Sequence, residues 1–222
     1  MTNPQLSISG GPPYVGPMPR AFPPGFILPA QPVRRPGPPC GPSWVHEIKH
    51  DGYRLIVLKG GDTVRLFTRS GNDWTDRFPL ITKAAQKLRG SFLIDGEAVV
   101  VGPDGLSLFD QLQSTAGRMR AVLFAFDLIQ HDGQDQRGRP LLERKTLLAK
   151  LLARANEGIL YNDHLTESGD VVFSHACNLG AEGIVSKRID SSYRSGPHPA
   201  WIKVKSPTAI ALQRKRAERW SR

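Results

Sequence analysis

The chain has 222 residues and is 39% hydrophobic, 8% aromatic and 23% charged, which suits one sizeable domain or two small ones and excludes a wholly disordered chain. It has no apolar run near the roughly 18 residues of a membrane helix, and we expect no signal peptide at residues 1–5. The two cysteines, Cys40 and Cys177, are far apart in the sequence, so we predict neither a disulfide framework nor a zinc site built from cysteines. Because disulfides are rare in a reducing compartment, we also predict that the protein is cytoplasmic.

The formal net charge is +10, which indicates a polyanionic partner such as nucleic acid or nucleotides. This charge is concentrated at the two ends of the chain. Residues 1–43 carry +3 and residues 203–222 carry +6, whereas residues 44–202 carry only +1. The bulk of the protein is therefore nearly neutral.

Residues 1–43 contain 13 of the 19 prolines together with six glycines. Such a segment cannot form helix interiors or central strands, and it has few large apolar groups to bury. We predict that residues 1–25 are disordered and that Phe26–Leu28 lies on the folded domain as an extended lead-in.

From Trp44 onward the apolar pattern predicts strands and helices. The predicted strands are Trp44–Lys49, Tyr53–Lys59, Thr63–Thr68, Phe92–Val101, Ala121–Ile129, Gly183–Arg188 and Ala200–Lys205. The first predicted helix begins at Pro79 and ends before Gly90. Two further helices are predicted at Leu141–Ala153 and Asp170–Leu179, and a basic helix is predicted to begin at Pro207. Since strands outnumber helices and hairpins recur, we predict an α+β fold with two antiparallel β-sheets flanked by helices.

The segment His46–His50 matches H-E-x-x-H, the pattern of zinc proteases. That chemistry needs a helix, because only there do two histidines four positions apart face one metal. Pro42 upstream and Gly52 downstream favour a strand instead, on which the histidines would lie about 13 Å apart. We therefore predict no zinc site here.

The overlapping segment Lys49–Arg54 reads K-x-D-G-x-R. A lysine between a strand and a tight Asp-Gly turn presents its amine at the mouth of a cleft, as covalent lysine chemistry requires. Arg54 would return along the next strand as a bidentate clamp for an anion. A solvated hairpin with incidental charges is the alternative for this hexapeptide alone.

Three further strands place two ionisable groups at positions i and i+2, which lie on one face of a strand. The pairs are Glu47 with Lys49, Asp95 with Glu97, and Lys203 with Lys205. A fourth segment, Glu182–Arg188, places a carboxylate before a β-branched strand. Each alone suits a salt bridge at the rim, but together they describe a cleft with one nucleophilic amine, two further amines and several carboxylates. This combination indicates nucleotidyl transfer onto lysine.

The sequence resembles the covalent nucleotidyltransferases, and among them the ATP-dependent DNA ligases, in particular the bacterial ligases of end-joining repair. The resemblance covers residues 26–206, with residues 207–222 as a basic tail, and implies an ATP-grasp-like nucleotidyltransferase fold with a nucleotide cleft between the two sheets. It rests on six ordered motifs: Lys49–Arg54, Arg69, Asp95–Glu97, Phe124–Leu128, Glu182–Lys187 and Lys203–Lys205.

This resemblance implies that Lys49 attacks the α-phosphorus of ATP, forming lysyl-AMP and releasing pyrophosphate. Lys203 and Lys205 would bind the α-phosphate as further catalytic groups. AMP would then pass to the 5′-phosphate of nicked or broken duplex DNA, and the neighbouring 3′-hydroxyl would displace it to seal the nick.

The resemblance also assigns the nucleotide and metal contacts. Glu47 would read the adenine amino group, Phe126, or less favourably Phe124, would stack on the base, and Glu182 would hold Mg²⁺ or Mn²⁺. The implied nucleotide-binding residues are Glu47, Ile48, Arg54, Arg69, Glu97, Phe126 and Lys187, and the implied metal ligands are Glu182 and Glu97. On pattern alone an aromatic on an apolar strand, such as Phe126, is usually part of the core.

Ligases of this family usually continue into an oligonucleotide-binding fold with a sixth motif. Only about 17 residues follow Lys205, too few for a five-stranded barrel. The basic tail could replace part of the DNA contact by binding phosphates, and a solvated terminal helix is the alternative for it. A DNA-end-binding or barrel-carrying partner protein could also supply the contact. DNA binding implies association with the nucleoid. The alternatives are an RNA ligase, a capping-type guanylyltransferase, or a nick- or end-binding protein without turnover.

Overall fold

The computed structural model describes residues 25–153 and 157–220, in which ten strands and five α-helices occur. The strands are β1 (Ala30–Arg34), β2 (Trp44–Ile48), β3 (Tyr53–Gly60), β4 (Thr63–Thr68), β5 (Phe92–Val99), β6 (Val122–His131), β7 (Gln134–Asp135), β8 (Ile159–Tyr161), β9 (Gly183–Arg188) and β10 (Gly196–Lys205). The helices are α1 (Pro79–Lys87), α2 (Thr115–Met119), α3 (Leu141–Leu152), α4 (Gly169–Leu179) and α5 (Pro207–Trp220). Short 3₁₀ helices lie at Thr75–Arg77 and Phe109–Gln113. None of the helices in this part of the chain is long and apolar enough to cross a membrane.

The strands form two sheets. One has four strands in the order β1-β10-β9-β2, and the other has β4-β3-β5-β6-β7 with β8 added beside β6. Most neighbours are antiparallel, as predicted, but β1 pairs with β10 and β8 pairs with β6 in parallel. The second parallel pair arises because the chain returns from β6 through α3, and such a crossover brings the next strand back in the same direction.

The two sheets and the helices pack in layers. In β3, Leu55 and Val57 point into a core shared with α1 and α3, whereas Ile56 points into a core between the two sheets. This alternation is the period of a strand whose two faces are both buried. Helix α4 covers the outer face of the four-stranded sheet through Val172 and Ala176. The cleft between the sheets is thus bounded by the inner faces of both.

Most element boundaries agree with the prediction. The strand β9 has the predicted bounds, and α3 ends one residue earlier than predicted. The prediction missed β1, which contains Pro32 and lies at a sheet edge, where a residue without a backbone N–H is tolerated. It also placed the start of β10 four residues late, at Ala200 instead of Gly196. The segment predicted to be disordered, residues 1–25, lies outside the described residues except for Gly25.

Candidate active site

Lys49 follows the last residue of β2 and stands at the mouth of the cleft. Its backbone N–H donates to the carbonyl of Gly183 at 2.9 Å, which fixes the strand end to β9. The chain then turns through Gly52, where an added Cβ would lie 2.2 Å from the carbonyl oxygen of Ala98. Only glycine fits so close to another backbone. The side chain of Lys49 is 20% exposed, and its amine contacts the carboxylate of Glu182.

A cavity between the two sheets contains nine of the eleven predicted site residues. They are Glu47, Ile48, Lys49, Arg54, Arg69, Glu97, Phe126, Lys187 and Lys203. The other lining residues are Ala30, Gln31, Pro32, His50, Asn162, Val185 and Trp201. Of the remaining two predicted residues, Glu182 contacts the amine of Lys49 and Lys205 pairs with Glu182, so the structure brings the whole predicted set together.

Glu182 lies between two of the predicted amines. One carboxylate oxygen contacts Lys49, and the other lies 2.7 Å from the amine of Lys205 and accepts a hydrogen bond from Gln213 at 3.3 Å. Lys203, on the same strand face as Lys205, has its pKa lowered by burial and by the neighbouring cations Lys49 and Lys205. Cations therefore gather around one carboxylate, an arrangement that attracts a polyanion such as a triphosphate.

Glu97 is partly buried in the cavity wall. Burial raises its pKa to about 7, although the cations Lys49 and Arg54 act in the opposite direction. Glu182 and Asp95 add negative charge nearby and raise the pKa of Glu97 further. The approach of a cation would therefore stabilise the ionised form of the Glu97 carboxyl.

Glu47 is almost fully buried, at 2% exposure, and is surrounded by partners. Its two oxygens lie 2.7 Å from the amines of Lys145 and Lys187, and the Asn162 amide donates to it at 3.3 Å. Burial opposes the charge on Glu47, but the two ammonium groups outweigh it and hold its pKa below the usual value. The predicted adenine-reading carboxylate is therefore already paired within the protein.

Lys187 lies between two aromatic rings. Its amine is 4.1 Å from the centre of the Trp201 ring and 4.5 Å from that of Phe126. Burial lowers the pKa of Lys187 to about 8, against the opposing effect of Glu47. Together the lysine and the two rings form the wall of the cavity beside Glu47.

Arg54 does clamp a carboxylate in bidentate fashion, but the carboxylate is that of Asp95. Its Nε and Nη2 atoms donate to the two oxygens of Asp95 at 2.5 and 2.6 Å, and Nη2 also donates to the carbonyl of Ala30. The guanidinium carbon lies 4.5 Å from the centre of the Phe126 ring. Tyr193 completes this group by donating its hydroxyl hydrogen to Asp95 at 2.5 Å.

The second aromatic candidate, Phe124, has another partner. Its ring stacks on the imidazole of His50, with centroids 3.9 Å apart, and it does not line the cavity. The histidines of the H-E-x-x-H segment lie on and just after a strand, as predicted. His46 is hydrogen-bonded to Ser186 and His50 to Asn162. Within the described residues, no group of three or more His, Cys, Asp or Glu side chains could hold a metal ion.

Sequence reasoning missed several residues of this site, among them Asn162, Tyr193, Lys145, Trp201 and His50 as a cavity residue. Lys145 had a usable signal. Helix α3 buries Leu141, Arg144, Lys145 and Leu148, so two basic residues share its apolar face. Charged groups at buried helical positions require buried partners. Asn162 and Tyr193 lie outside any periodic pattern, so the sequence contained no comparable signal for them.

Comparison with known proteins identifies the family. The family model of the ATP dependent DNA ligase domain matches residues 39–205. The multifunctional non-homologous end joining protein LigD of Pseudomonas aeruginosa is 41% identical over 174 residues, which make up 76% of this chain and 20% of that protein. A probable DNA ligase of Streptomyces coelicolor is 36% identical over 184 residues, covering 75% of this chain and 36% of that protein. The chain therefore spans between a fifth and about a third of these relatives.

Solved structures agree with this relationship. A mycobacterial DNA ligase D complexed with ATP and MES superposes with a TM-score of 0.71 and 32% identity, covering 81% of this chain and 60% of that one. The ligase domain of LigD from M. tuberculosis gives a TM-score of 0.69 and 31% identity, with the same coverage. These matches confirm the predicted fold class and the resemblance given by the six motifs. The chain belongs to the ATP-dependent DNA ligase domain family.

Proposed function

We propose that this chain is an adenylating enzyme that transfers AMP from ATP to Lys49 and then to DNA ends, as an ATP-dependent DNA ligase. One observation carries the proposal: the amine of Lys49 stands at the edge of a cavity beside Glu182, Lys203 and Lys205, which come from distant parts of the chain. A binding protein without turnover would not require this convergence of an amine, two further amines and a carboxylate.

The cavity suggests how ATP is oriented. Its inner end is formed by Phe126, Trp201 and the paired Glu47, which suit a planar, polar-edged base. Its outer end carries Lys49, Lys203 and Arg69, which suit phosphates. ATP would therefore bind with adenine inside and the α-phosphate at Lys49. The solved mycobacterial relative was described as a complex with ATP, which supports the same ligand here.

The first step would form a nitrogen–phosphorus bond between Lys49 and the α-phosphorus and break the bond from that phosphorus to the bridging oxygen. Pyrophosphate leaves with the electron pair of the broken bond. The attacking amine must first lose its proton, and the contact with the carboxylate of Glu182 would orient it towards the phosphorus. Lys203 and Lys205 would stabilise the charge that builds on the phosphoryl oxygens in the transition state.

Glu182 and Glu97 would hold the divalent cation, Mg²⁺ or Mn²⁺, that we propose for this reaction. The donor set fits such an ion, because Mg²⁺ is commonly bound by one or two carboxylates together with substrate phosphates and water. The raised pKa of Glu97 fits as well, since this carboxyl becomes more stable as an anion when a cation approaches. When bound, the ion would neutralise charge on the triphosphate.

We propose nicked or broken duplex DNA as the second substrate. The support is that the relatives are named as DNA ligases and end-joining proteins and that this chain is strongly basic. A DNA-end-binding or barrel-carrying protein is the partner that we propose for completing the DNA clamp.

Incubation with α-labelled ATP and Mg²⁺ tests the first step, with Lys49→Ala as the matched variant. We expect an acid-resistant protein–AMP adduct that Lys49→Ala lacks, and no adduct with GTP. Transfer of the label to a nicked DNA, but not to a nicked RNA, then tests the second substrate. A protein that binds nicks without ever acquiring label would instead be a binding protein.

A further inference from the structure

A second cavity lies between helix α5 and the segment that carries Lys49. The helix contributes Thr208, Ala209, Leu212, Gln213 and Arg216, and the opposite wall is formed by Ile48, Lys49, His50, Asp51, Glu182 and nearby loop residues. The helix residues recur at intervals of about four, so they form one face of α5. Lys49 lines this cavity and also the nucleotide cavity, and it therefore separates the two.

Arg216 forms an ion pair between α5 and this segment. Its guanidinium lies 2.8 Å from the carboxylate of Asp51 and 3.1 Å from that of Asp110. The guanidinium also lies over the ring of Phe109, at 4.8 Å from its centre. With 20% of its side chain exposed, Arg216 joins the 3₁₀ helix Phe109–Gln113 to the turn after β2. A planar guanidinium can bridge two carboxylates in a fixed geometry, which an ammonium cannot do.

Asp51 lies two residues after Lys49, in the turn that sets the direction of the amine. The turn is held on its other sides by the hydrogen bond from Lys49 N–H to Gly183 and by the close approach of Gly52 to Ala98. The ion pair with Arg216 is the contact that fixes the outer side of this turn.

Gln213 provides a second link from α5 to the reacting amine. Its side-chain amide donates to Glu182 at 3.3 Å, and the other oxygen of Glu182 contacts Lys49. Helix α5 therefore reaches Lys49 by two routes, through Asp51 and through Glu182. The family match ends at residue 205, so α5 lies outside it.

We infer that α5 is a positioning element of the adenylation site, with Arg216 as the positioning residue that orients Lys49 through Asp51. This inference rests on the proposed function. It differs from the sequence prediction that the tail binds DNA, because the charge of Arg216 is already balanced by two carboxylates. Arg214 and Lys215, which are exposed on the same helix, remain available to DNA phosphates.

The variants Arg216→Ala, Arg216→Lys and Arg214→Ala in the full chain test the inference. Arg214→Ala is the matched control, since it removes the same charge from an exposed position of the same helix. We expect Arg216→Ala to slow formation of the Lys49–AMP adduct roughly 10- to 100-fold at saturating ATP, with the KM for ATP nearly unchanged. Arg216→Lys should recover part of the rate, and Arg214→Ala should stay within about twofold of the wild type.

Hydrogen exchange of the peptide that contains residues 49–52 gives a readout that needs no turnover. Arg216→Ala should increase exchange there, and Arg214→Ala should not. Unchanged exchange and unchanged adduct formation in Arg216→Ala would overturn the inference. Faster adduct formation would overturn it too, because α5 would then be a cover over the site. If the wild-type chain forms no adduct, the proposed function is refuted. The hydrogen-exchange data alone then test whether Arg216 orders residues 49–52.

Discussion

The amine of Lys145 lies 2.7 Å from the carboxylate of Glu47, although 98 positions separate the two residues in the chain. Both side chains are almost completely buried, and the amine also donates to the carbonyl of Asn162 at 2.8 Å. A helix that packs against the core of the large sheet thus reaches a residue that lines the cavity between the sheets. Part of the charge of Glu47 is therefore balanced by Lys145, which does not itself line that cavity.

We predict that Lys145→Met lowers the free energy of unfolding by about 2–3 kcal/mol. Removal of one partner of a buried ion pair typically costs about 3–5 kcal/mol, and here Lys187 still balances part of the charge on Glu47. Urea unfolding measures the loss as a lower midpoint with an unchanged slope.

Lys150→Met is the control for this prediction, because Lys150 is exposed on the same helix. It should change the free energy of unfolding by less than about 0.5 kcal/mol. The double variant Lys145→Met with Glu47→Gln should lose less stability than the sum of the two single losses, because both single variants break the same ion pair. Equal effects of Lys145→Met and Lys150→Met would show that the buried pair contributes nothing specific.

Sequence-based prediction succeeded where the signal is local. The turn after β2, the i and i+2 pairs and the order of the motifs are properties of short segments. These properties single out Lys49, Glu182 and Lys205, and in the folded protein the carboxylate of Glu182 contacts both amines. The predicted helices and most strands follow from apolar periodicity, which depends on neighbours within a few residues.

Prediction failed where a residue depends on a distant partner. Arg54 was predicted to clamp an anion and lines the cavity, but the sequence did not identify its partner in the folded protein, Asp95 on the adjacent strand β5, which only the strand pairing reveals. The parallel addition of β1 to β10 joins segments far apart in the chain and has no local signature. Asn162 is a single polar residue after a three-residue strand, so no period marks it.

The raised pKa of Glu97 predicts a pH-dependent cost to stability. Because its pKa is about 7 in the folded protein and about 4.5 in the unfolded chain, the folded state binds more protons between those values. Stability from this residue therefore falls as the pH rises from 4.5 to 7 and stays reduced above pH 7. We predict that Glu97→Gln is more stable than the wild type at pH 8 by about 1–3 kcal/mol, with little difference near pH 4.5.

Urea unfolding at about pH 5 and about pH 8 measures this difference, and Glu157→Gln, at an exposed position, is the control that should show no such trend. Glu97→Gln should also slow adduct formation, because the proposed metal ligand is lost. The variant would then gain stability and lose activity. A stability gain that is equal at both pH values would contradict the assignment of the pH dependence to Glu97.

Tyr193 links strand β1 to Asp95, and its hydroxyl is predicted to support ATP binding. The hydroxyl donates to Asp95 and accepts a hydrogen bond from the Ala30 N–H at 3.0 Å, and Ala30 lines the nucleotide cavity. Tyr193→Phe leaves that buried N–H without its acceptor, so we expect a loss of about 1–2 kcal/mol in unfolding free energy. The KM for ATP should rise roughly threefold to tenfold, a change of about 1 kcal/mol in binding.

Tyr53→Phe is the matched control for the hydroxyl. Tyr53 packs its ring against Trp74 and Phe109. Removal of the Tyr53 hydroxyl should alter neither stability nor the KM for ATP beyond about 0.5 kcal/mol. If Tyr193→Phe behaves like Tyr53→Phe, the hydrogen bonds of Tyr193 do not support the nucleotide cavity.

Gly52 is the position where the backbone geometry of the turn leaves least room for substitution. A methyl group there would lie 2.2 Å from the Ala98 carbonyl oxygen, so Gly52→Ala must displace the turn or strand β5. We predict a loss of more than about 2 kcal/mol in unfolding free energy and at least about a tenfold slower adduct formation, since Lys49 shares that turn. Gly60→Ala is the control, because a methyl group at Gly60 meets no atom within 4 Å. Comparable effects of the two substitutions, measured by urea unfolding and by labelling with ATP, would mean that the close approach of Gly52 to Ala98 does not determine where the Lys49 amine points.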